Sequence, residues 1–194
     1  NGWKAKTGIC VGLARPQCYN DRTSRYRKNH TGNKYRERTS KKNGKAVHVA
    51  CSTGKEATLY PKCIGATTLH RWAGMLDGRH SSMELLGLLI SDEVFAEAKE
   101  RITKTDVLVV DEISMISKKV THCLHYICVN LRNTTTPFGG IQMIFFGDFY
   151  QLGPVSNITY GDNGDYCFML PSLDDFHHVN LQEVTRQSDA SFIE

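Results

Sequence analysis

From Gly44 onward, short apolar runs alternate with longer segments whose apolar residues recur at three- and four-residue steps. Ala46-Val47-His48-Val49-Ala50 reads as a short buried strand, closed by the polar turn Cys51-Ser52-Thr53-Gly54. Ser81 with Glu84 three residues on has the form of a capping box, opening a helix that covers Met83, Leu86 and Ile90. Ser91-Asp92 marks another helix start, for a segment carrying Val94, Phe95, Ala98 and Ile102. Val107-Leu108-Val109-Val110 is a continuous aliphatic run, as expected of a strand buried on both faces of a parallel sheet. Val120, Cys123, Leu124, Ile127, Cys128 and Leu131 form the next helical stripe. Pro137-Phe138-Gly139-Gly140 breaks the chain, and Ile141 to Phe146 forms a further buried strand. Strand, helices, strand, helix, strand is the pattern of an α/β fold with a doubly wound, mostly parallel sheet.

Residues 1–43 have another character. Between Pro16 and Asn43 there is almost no aliphatic residue, so this stretch cannot bury a core. Residues 1–45 carry a net charge of +11 and the rest −7, which together give the overall +4. A basic arm on an acidic body fits nucleic acid or an anionic surface; an unstructured tail fits the composition as well. Two segments are therefore expected: a basic arm over 1–43 and a folded domain over 44–194. With 40% apolar and 23% charged residues, wholesale disorder is excluded. No run approaches the ~20 apolar residues of a membrane span. No apolar stretch follows Lys4, Lys6 and Arg15 as a secretory signal requires. Seven cysteines without a C-x-x-C pair suit reduced thiols. The chain opens on Asn1 rather than Met, and is expected to be incomplete.

In open α/β sheets, chemistry collects beyond the carboxyl ends of the strands. Three strands here end in small or polar groups: Ser52-Thr53-Gly54, Asp111-Glu112 and Gly147-Asp148. Asp111-Glu112 has the form of a Walker B element, in which the first carboxylate holds Mg²⁺ and the second orients or deprotonates a water. Two surface acids opening a turn are the plainer alternative. Gln151, in Gly147-Asp148-Phe149-Tyr150-Gln151-Leu152-Gly153-Pro154-Val155, follows a neighbouring strand and offers a neutral amide to the γ-phosphate or its attacking water. Arg186-Gln187 adds a guanidinium suited to the spread charge of a transferring phosphoryl group.

Together these residues resemble the Pif-type DNA helicases (petite integration frequency family) of helicase superfamily 1, from about Gly44 to Phe192. The likeness includes Ala50-Cys51-Ser52-Thr53-Gly54, Gly65-Ala66-Thr67-Thr68-Leu69-His70-Arg71-Trp72-Ala73-Gly74, and Asp111-Glu112-Ile113-Ser114-Met115. It continues through Phe138-Gly139-Gly140-Ile141-Gln142, residues 147–155 and Val184-Thr185-Arg186-Gln187. The resemblance implies an incomplete first motor domain of the RecA-like phosphate-loop type, ATP as substrate with Mg²⁺, and single-stranded DNA as partner. It further implies 5′–3′ unwinding in repair, recombination and telomere maintenance, in the nucleus or the mitochondrion. Carried over, Asp111 is the Mg²⁺ carboxylate, Glu112 the catalytic base, Gln151 the γ-phosphate sensor and Arg186 an arginine finger. Thr53, Thr68 and His70 fall in the segment that grips single-stranded DNA by its backbone. Trp72 suits a core position better than base stacking.

The chain departs from the family at Gly153, where proline is usual, and at Thr185, where phenylalanine is usual. Glycine at 153 is expected to loosen the turn that holds Gln151. The resemblance also leads one to expect a second motor domain, which is not expected within these 194 residues. More seriously, no G-x-x-x-x-G-K-[ST] occurs. Gly54-Lys55 imitates it, but Val49 and Glu56 stand where glycine and a hydroxyl are needed. The family's loop would fall 20 to 30 residues before Ser52. Thr23-Ser24-Arg25-Tyr26-Arg27-Lys28-Asn29 can be encoded ACA AGC AGG TAC AGG AAA AAC. Read one nucleotide later, with the C of His30, this gives Gln-Ala-Gly-Thr-Gly-Lys-Thr, the core of a phosphate loop. Much of residues 1–43 is therefore expected to be a shifted reading frame, and the chain as it stands a poor ATPase. The competing readings are a non-enzymatic nucleic-acid-binding remnant and a phosphate-loop ATPase without helicase activity. His122, Cys123, His125 and Cys128 lie close in sequence, but on one helix their side chains diverge, which does not suit a tetrahedral metal site.

Overall fold

The computed structural model describes residues 8–13, as backbone only, and residues 44–181, with side chains as far as Val179. Six strands form one parallel sheet in the order β3-β2-β4-β5-β1-β6. They are β1 (Gly8–Leu13), β2 (Val47–Cys51), β3 (Thr67–Thr68), β4 (Val107–Asp111), β5 (Gln142–Gly147) and β6 (His177–Leu181). The helices are α1 (Gly54–Ala57), α2 (Leu69–Ala73), α3 (Ser82–Ser91), α4 (Ala96–Lys104) and α5 (Lys118–Leu131).

The aliphatic runs become strands because both sheet faces are covered, and period-two alternation divides each run between two cores. Leu108, Val110, Met143 and Phe145 face a large cluster with Leu85, Leu89, Ile102, Leu124 and Phe138. Val107, Val109 and Ile144 face a smaller one with Val47, Val49, Tyr60 and Ile64. Trp72 is wholly buried in the larger cluster, as its surroundings in the sequence suggest.

Three expectations change. First, β1 lies inside the segment read as a basic arm, between β5 and β6, with Gly12 in register with Gly147. Six residues are too short to stand out beside a charge-rich tail. Second, α3 begins where expected, with Ser81 accepting from the Glu84 amide and Glu84 reaching back to the Ser81 amide. Its buried residues, however, are Leu85 and Leu89, while Met83 and Ile90 are 71% and 59% exposed. The helix is apolar nearly all round, so two stripes of helical spacing coexist, and packing against α5 selects one. Third, Asp92 caps a 3₁₀ turn over Glu93–Phe95 ahead of α4, which buries Phe95, Ala98 and Ile102 but leaves Val94 exposed. On α5 the expected stripe holds. Cys123, Leu124, Ile127 and Cys128 are buried, with Val120 and Leu131 packed at its margin, while His122 stacks on Tyr126. Burial pushes the Cys128 thiol up to about 12, as befits an inert core residue.

The capping box supports α3 from outside the core. Ser81→Ala is expected to lower unfolding stability by about 1 kcal/mol in urea titration, with an unchanged m-value.

Candidate functional site

Because every strand pair is parallel, all six carboxyl ends open on one edge of the sheet. Cys51 pairs with Asp111, and Val110 with Phe145, so the loops after β2, β4 and β5 are adjacent by construction.

Asp111, the last residue of β4, is only 4% exposed. Its Oδ2 accepts from the Tyr60 hydroxyl at 2.9 Å and its Oδ1 from the Glu112 amide at 3.0 Å. Glu112 turns the chain sharply off the strand with a left-handed backbone, φ 53°. For a non-glycine residue that conformation costs about 1 kcal/mol and concentrates at functional sites. Burial foremost, then the Asp111, Glu56 and Glu112 carboxylates, push the Cys51 thiol far above its ordinary range. Tyr60 is pushed up likewise, by burial and then by Asp111. Burial, helped by the neighbouring carboxylates, thus keeps the Cys51 thiol protonated. Hard carboxylate oxygens suit Mg²⁺. Among the described residues no group of three or more acidic, histidine or cysteine side chains forms a self-sufficient metal cage. Asp111 and Glu112 would supply carboxylate oxygens to a cation completed by water and phosphate, as Mg²⁺ usually is.

The loop after β5 is clamped to the same place. A Cβ added at Gly147 would lie 2.8 Å from Ile113 Cγ2 and 3.1 Å from the Ile113 and Ser114 nitrogens. Only glycine permits that approach. Asp148, 1% exposed, then organises the turn. It accepts from the Tyr150 amide at 3.0 Å and from Gln151 Nε2 at 2.9 Å. Gln151 is half-buried. At Gly153 a Cβ would meet the Tyr166 hydroxyl at 2.8 Å, so the Tyr166 ring fills the space a larger residue would need. Arg186 and Thr185 lie outside the described residues, although β6 also ends on this edge.

The three residues expected on DNA separate. Thr53 caps α1 and Thr68 caps α2, their hydroxyl oxygens accepting from the Glu56 amide at 3.3 Å and the Arg71 amide at 3.2 Å. Thr68 lines a groove of about 460 Å³ together with Gly54, Tyr60, Lys62, Gly65 and Arg71. His70 does not line it. Two residues further round the helix, His70 faces a separate cavity of about 200 Å³ beside Asp77, Lys119 and Asp162. Burial lowers its basicity, with Asp162 and Asp77 pulling the other way. Lys119 is anchored there by the carbonyls of Gly78 and Tyr160. Sequence reading missed Tyr60, Lys62, Arg71 and Asp148. Arg71 and Asp148 both stand inside quoted motifs, whereas nothing local marks Tyr60 or Lys62.

The family model described as PIF1-like helicase matches residues 36–193. The ATP-dependent DNA helicase PIF1 of Danio rerio is 35% identical over 151 residues, covering 77% of this chain and 22% of the relative. The chain thus spans about a fifth of that relative's length. The crystal structure of Pif1 helicase from Candida albicans superposes with a TM-score of 0.75 at 27% identity, over 97% of this chain and 39% of that one. The Pif1 helicase from Bacteroides in complex with ADP-AlF3 and ssDNA shares the fold, with a TM-score of 0.69 at 23% identity over 97% and 41%.

Proposed function

The chain belongs to the PIF1-like helicase family, and from that premise we propose that it is part of the first motor domain of an ATP-dependent DNA helicase moving 5′ to 3′ on single strands. The observation that carries this reading is the contact of Gly147 with Ile113 and Ser114, which ties the Gln151 loop to the Asp111-Glu112 turn at one sheet edge. A surface pair of acids would have no reason to be so clamped.

In this reading Asp111 holds the cation that accompanies the nucleotide; Mg²⁺, when bound, neutralises charge on the outer phosphates. Glu112 takes the proton of the attacking water, its position set by the left-handed turn. Gln151, held from behind by Asp148, presents its amide to the γ-phosphate or the water. Arg186 supplies positive charge to the transferring phosphoryl group. Single-stranded DNA lies in the groove with Thr68, Lys62 and Arg71, which read backbone rather than bases. Thr53 acts beside it through the start of α1, and His70 acts behind it, through the position of α2. The Bacteroides Pif1 structure in complex with ADP-AlF3 and ssDNA agrees with both ligands. Nuclear or mitochondrial residence, and roles in repair, recombination and telomere maintenance, follow the same family reading.

The match to the family model starts at residue 36, past the stretch whose shifted reading yields a phosphate loop. That boundary fits the frame-shift reading of the arm, under which the chain hydrolyses ATP poorly or not at all. Nucleic-acid binding does not need that loop, and it is the direct test. Fluorescence anisotropy with labelled oligothymidylate is expected to give salt-dependent binding. The double variant Lys62→Ala/Arg71→Ala should weaken it about tenfold and reduce the salt slope by about 0.7 for each phosphate no longer neutralised. Unchanged affinity and slope would remove the groove from the DNA path.

A further inference from the structure

Tyr60 stands at a junction that the motor reading leaves unused. Its ring packs in the smaller core cluster and lines the basic groove beside Lys62, Thr68 and Arg71. Its hydroxyl, in a residue only 6% exposed, donates to Asp111 Oδ2 at 2.9 Å across 51 residues of chain. The Asp111 carboxylate is thereby held at both oxygens, the other accepting from the Glu112 amide. Carboxylates turn easily about their last bond, and two donors from different elements hold one orientation. The linkage to the groove is short. Pro61, with φ −53°, separates Tyr60 from Lys62, and proline allows little play in φ. The groove's Lys62 and the Asp111-bound Tyr60 are thus joined through a single stiff residue.

We propose that Tyr60 is a positioning residue that couples occupancy of the basic groove to the cation-holding carboxylate Asp111. A phosphodiester drawn onto Lys62 and Arg71 orders residues 58–62 and locks the hydroxyl on Oδ2. The ordering cost is then already met when a cation arrives, and the second ligand binds more tightly with no new contact. Coupling of this kind is reciprocal, so the cation tightens the groove by the same factor. This inference rests on reading Asp111 as the cation-holding group and the groove as the DNA path.

The test uses the full chain, Mn²⁺ as probe, and free Mn²⁺ read by electron paramagnetic resonance with and without saturating oligothymidylate. Asp111→Asn supplies the background from Mn²⁺ on the DNA itself. Above that background, oligothymidylate is expected to tighten Mn²⁺ about fivefold in the unaltered chain. Tyr60→Phe, which keeps the ring, should weaken Mn²⁺ about tenfold and abolish the oligothymidylate effect. Loss of the oligothymidylate effect with the circular dichroism spectrum unchanged is a pattern that a merely structural role would not produce. Coupling that persists in Tyr60→Phe overturns the inference while leaving the motor reading intact. Asp111→Asn binding Mn²⁺ as tightly as the unaltered chain overturns both. Hydrogen exchange in the unaltered chain gives a variant-free check. Oligothymidylate should slow exchange at the Glu112 amide as well as at Leu59 and Tyr60, and no change at Glu112 counts against the coupling.

Discussion

Exchanging residues 22–29 for Gly-Gln-Ala-Gly-Thr-Gly-Lys-Thr is expected to raise affinity for Mg²⁺-ADP by at least about 100-fold. The exchange installs the full G-x-x-x-x-G-K-T pattern. Its first glycine arises from Arg22 by the same one-nucleotide shift, through the codon AGG. The physical basis is the number of charge-assisted contacts such a loop makes: several backbone amides and a lysine on phosphate oxygens, each stronger than a neutral hydrogen bond. The unaltered chain keeps the carboxylates of Asp111 and Glu112 but has no such loop, and carboxylates alone repel a nucleotide diphosphate. Titration with a fluorescent ADP analogue in Mg²⁺ reads the difference directly. The native coding nucleotides supply an independent answer, since codons at 22–30 incompatible with the shifted reading would remove the frame-shift account. No gain in affinity from the exchange would mean that a loop at this distance from β2 does not reach the Asp111 edge.

Gly139→Ala is expected to cost more than about 4 kcal/mol and to leave the domain largely unfolded at moderate urea. Gly139 has φ 66°, a left-handed conformation that costs an alanine about 1 kcal/mol. The larger part is steric. A Cβ at 139 would lie 2.4 Å from the Cys128 carbonyl oxygen, 2.7 Å from Arg132 Cδ and 2.8 Å from the Cys128 carbonyl carbon, and the backbone at the end of α5 has nowhere to go. Arg132 is itself a clamp. Its Nε donates to the Gly139 carbonyl at 2.6 Å, and its Nη1 donates to the carbonyls of Ile102, Thr103 and Thr105 at 3.1, 2.8 and 2.9 Å. Displacing it undoes the join between the end of α4 and the approach to β5. Gly161→Ala is the control, because Gly161 has φ 68° but open space around its Cβ position. That variant should lose only about 1 kcal/mol, separating conformational cost from collision. Equal losses in the two would show that the clash is relieved.

Sequence patterning succeeded where a local rule has one solution. The strands β2, β4 and β5 are aliphatic runs too short for helices and bounded by polar turns. Ser81 and Glu84 make a capping box because both members lie within one turn of each other. The polar strand ends were legible for the same reason: Asp111 closes the buried run of β4 and Asp148 follows that of β5. Patterning failed where several solutions satisfied it. The apolar surface of α3 offered Met83 and Ile90 as readily as Leu85 and Leu89. β1 was hidden because its six residues carry no period that marks them off from the basic segment around them.

By itself, then, the chain's residue order determined a parallel α/β sheet, the polar residues at its strand ends, and the lack of a G-x-x-x-x-G-K-[ST] motif. Those depend on neighbours in sequence and on the period of burial. The tertiary structure alone decided that Tyr60 reaches Asp111, that Gly147 presses on the turn after it, and that His70 lies apart from the groove beside Thr68. Each is a meeting of segments tens of residues apart, or a choice of helix face. Packing sets such outcomes, and no local period encodes them.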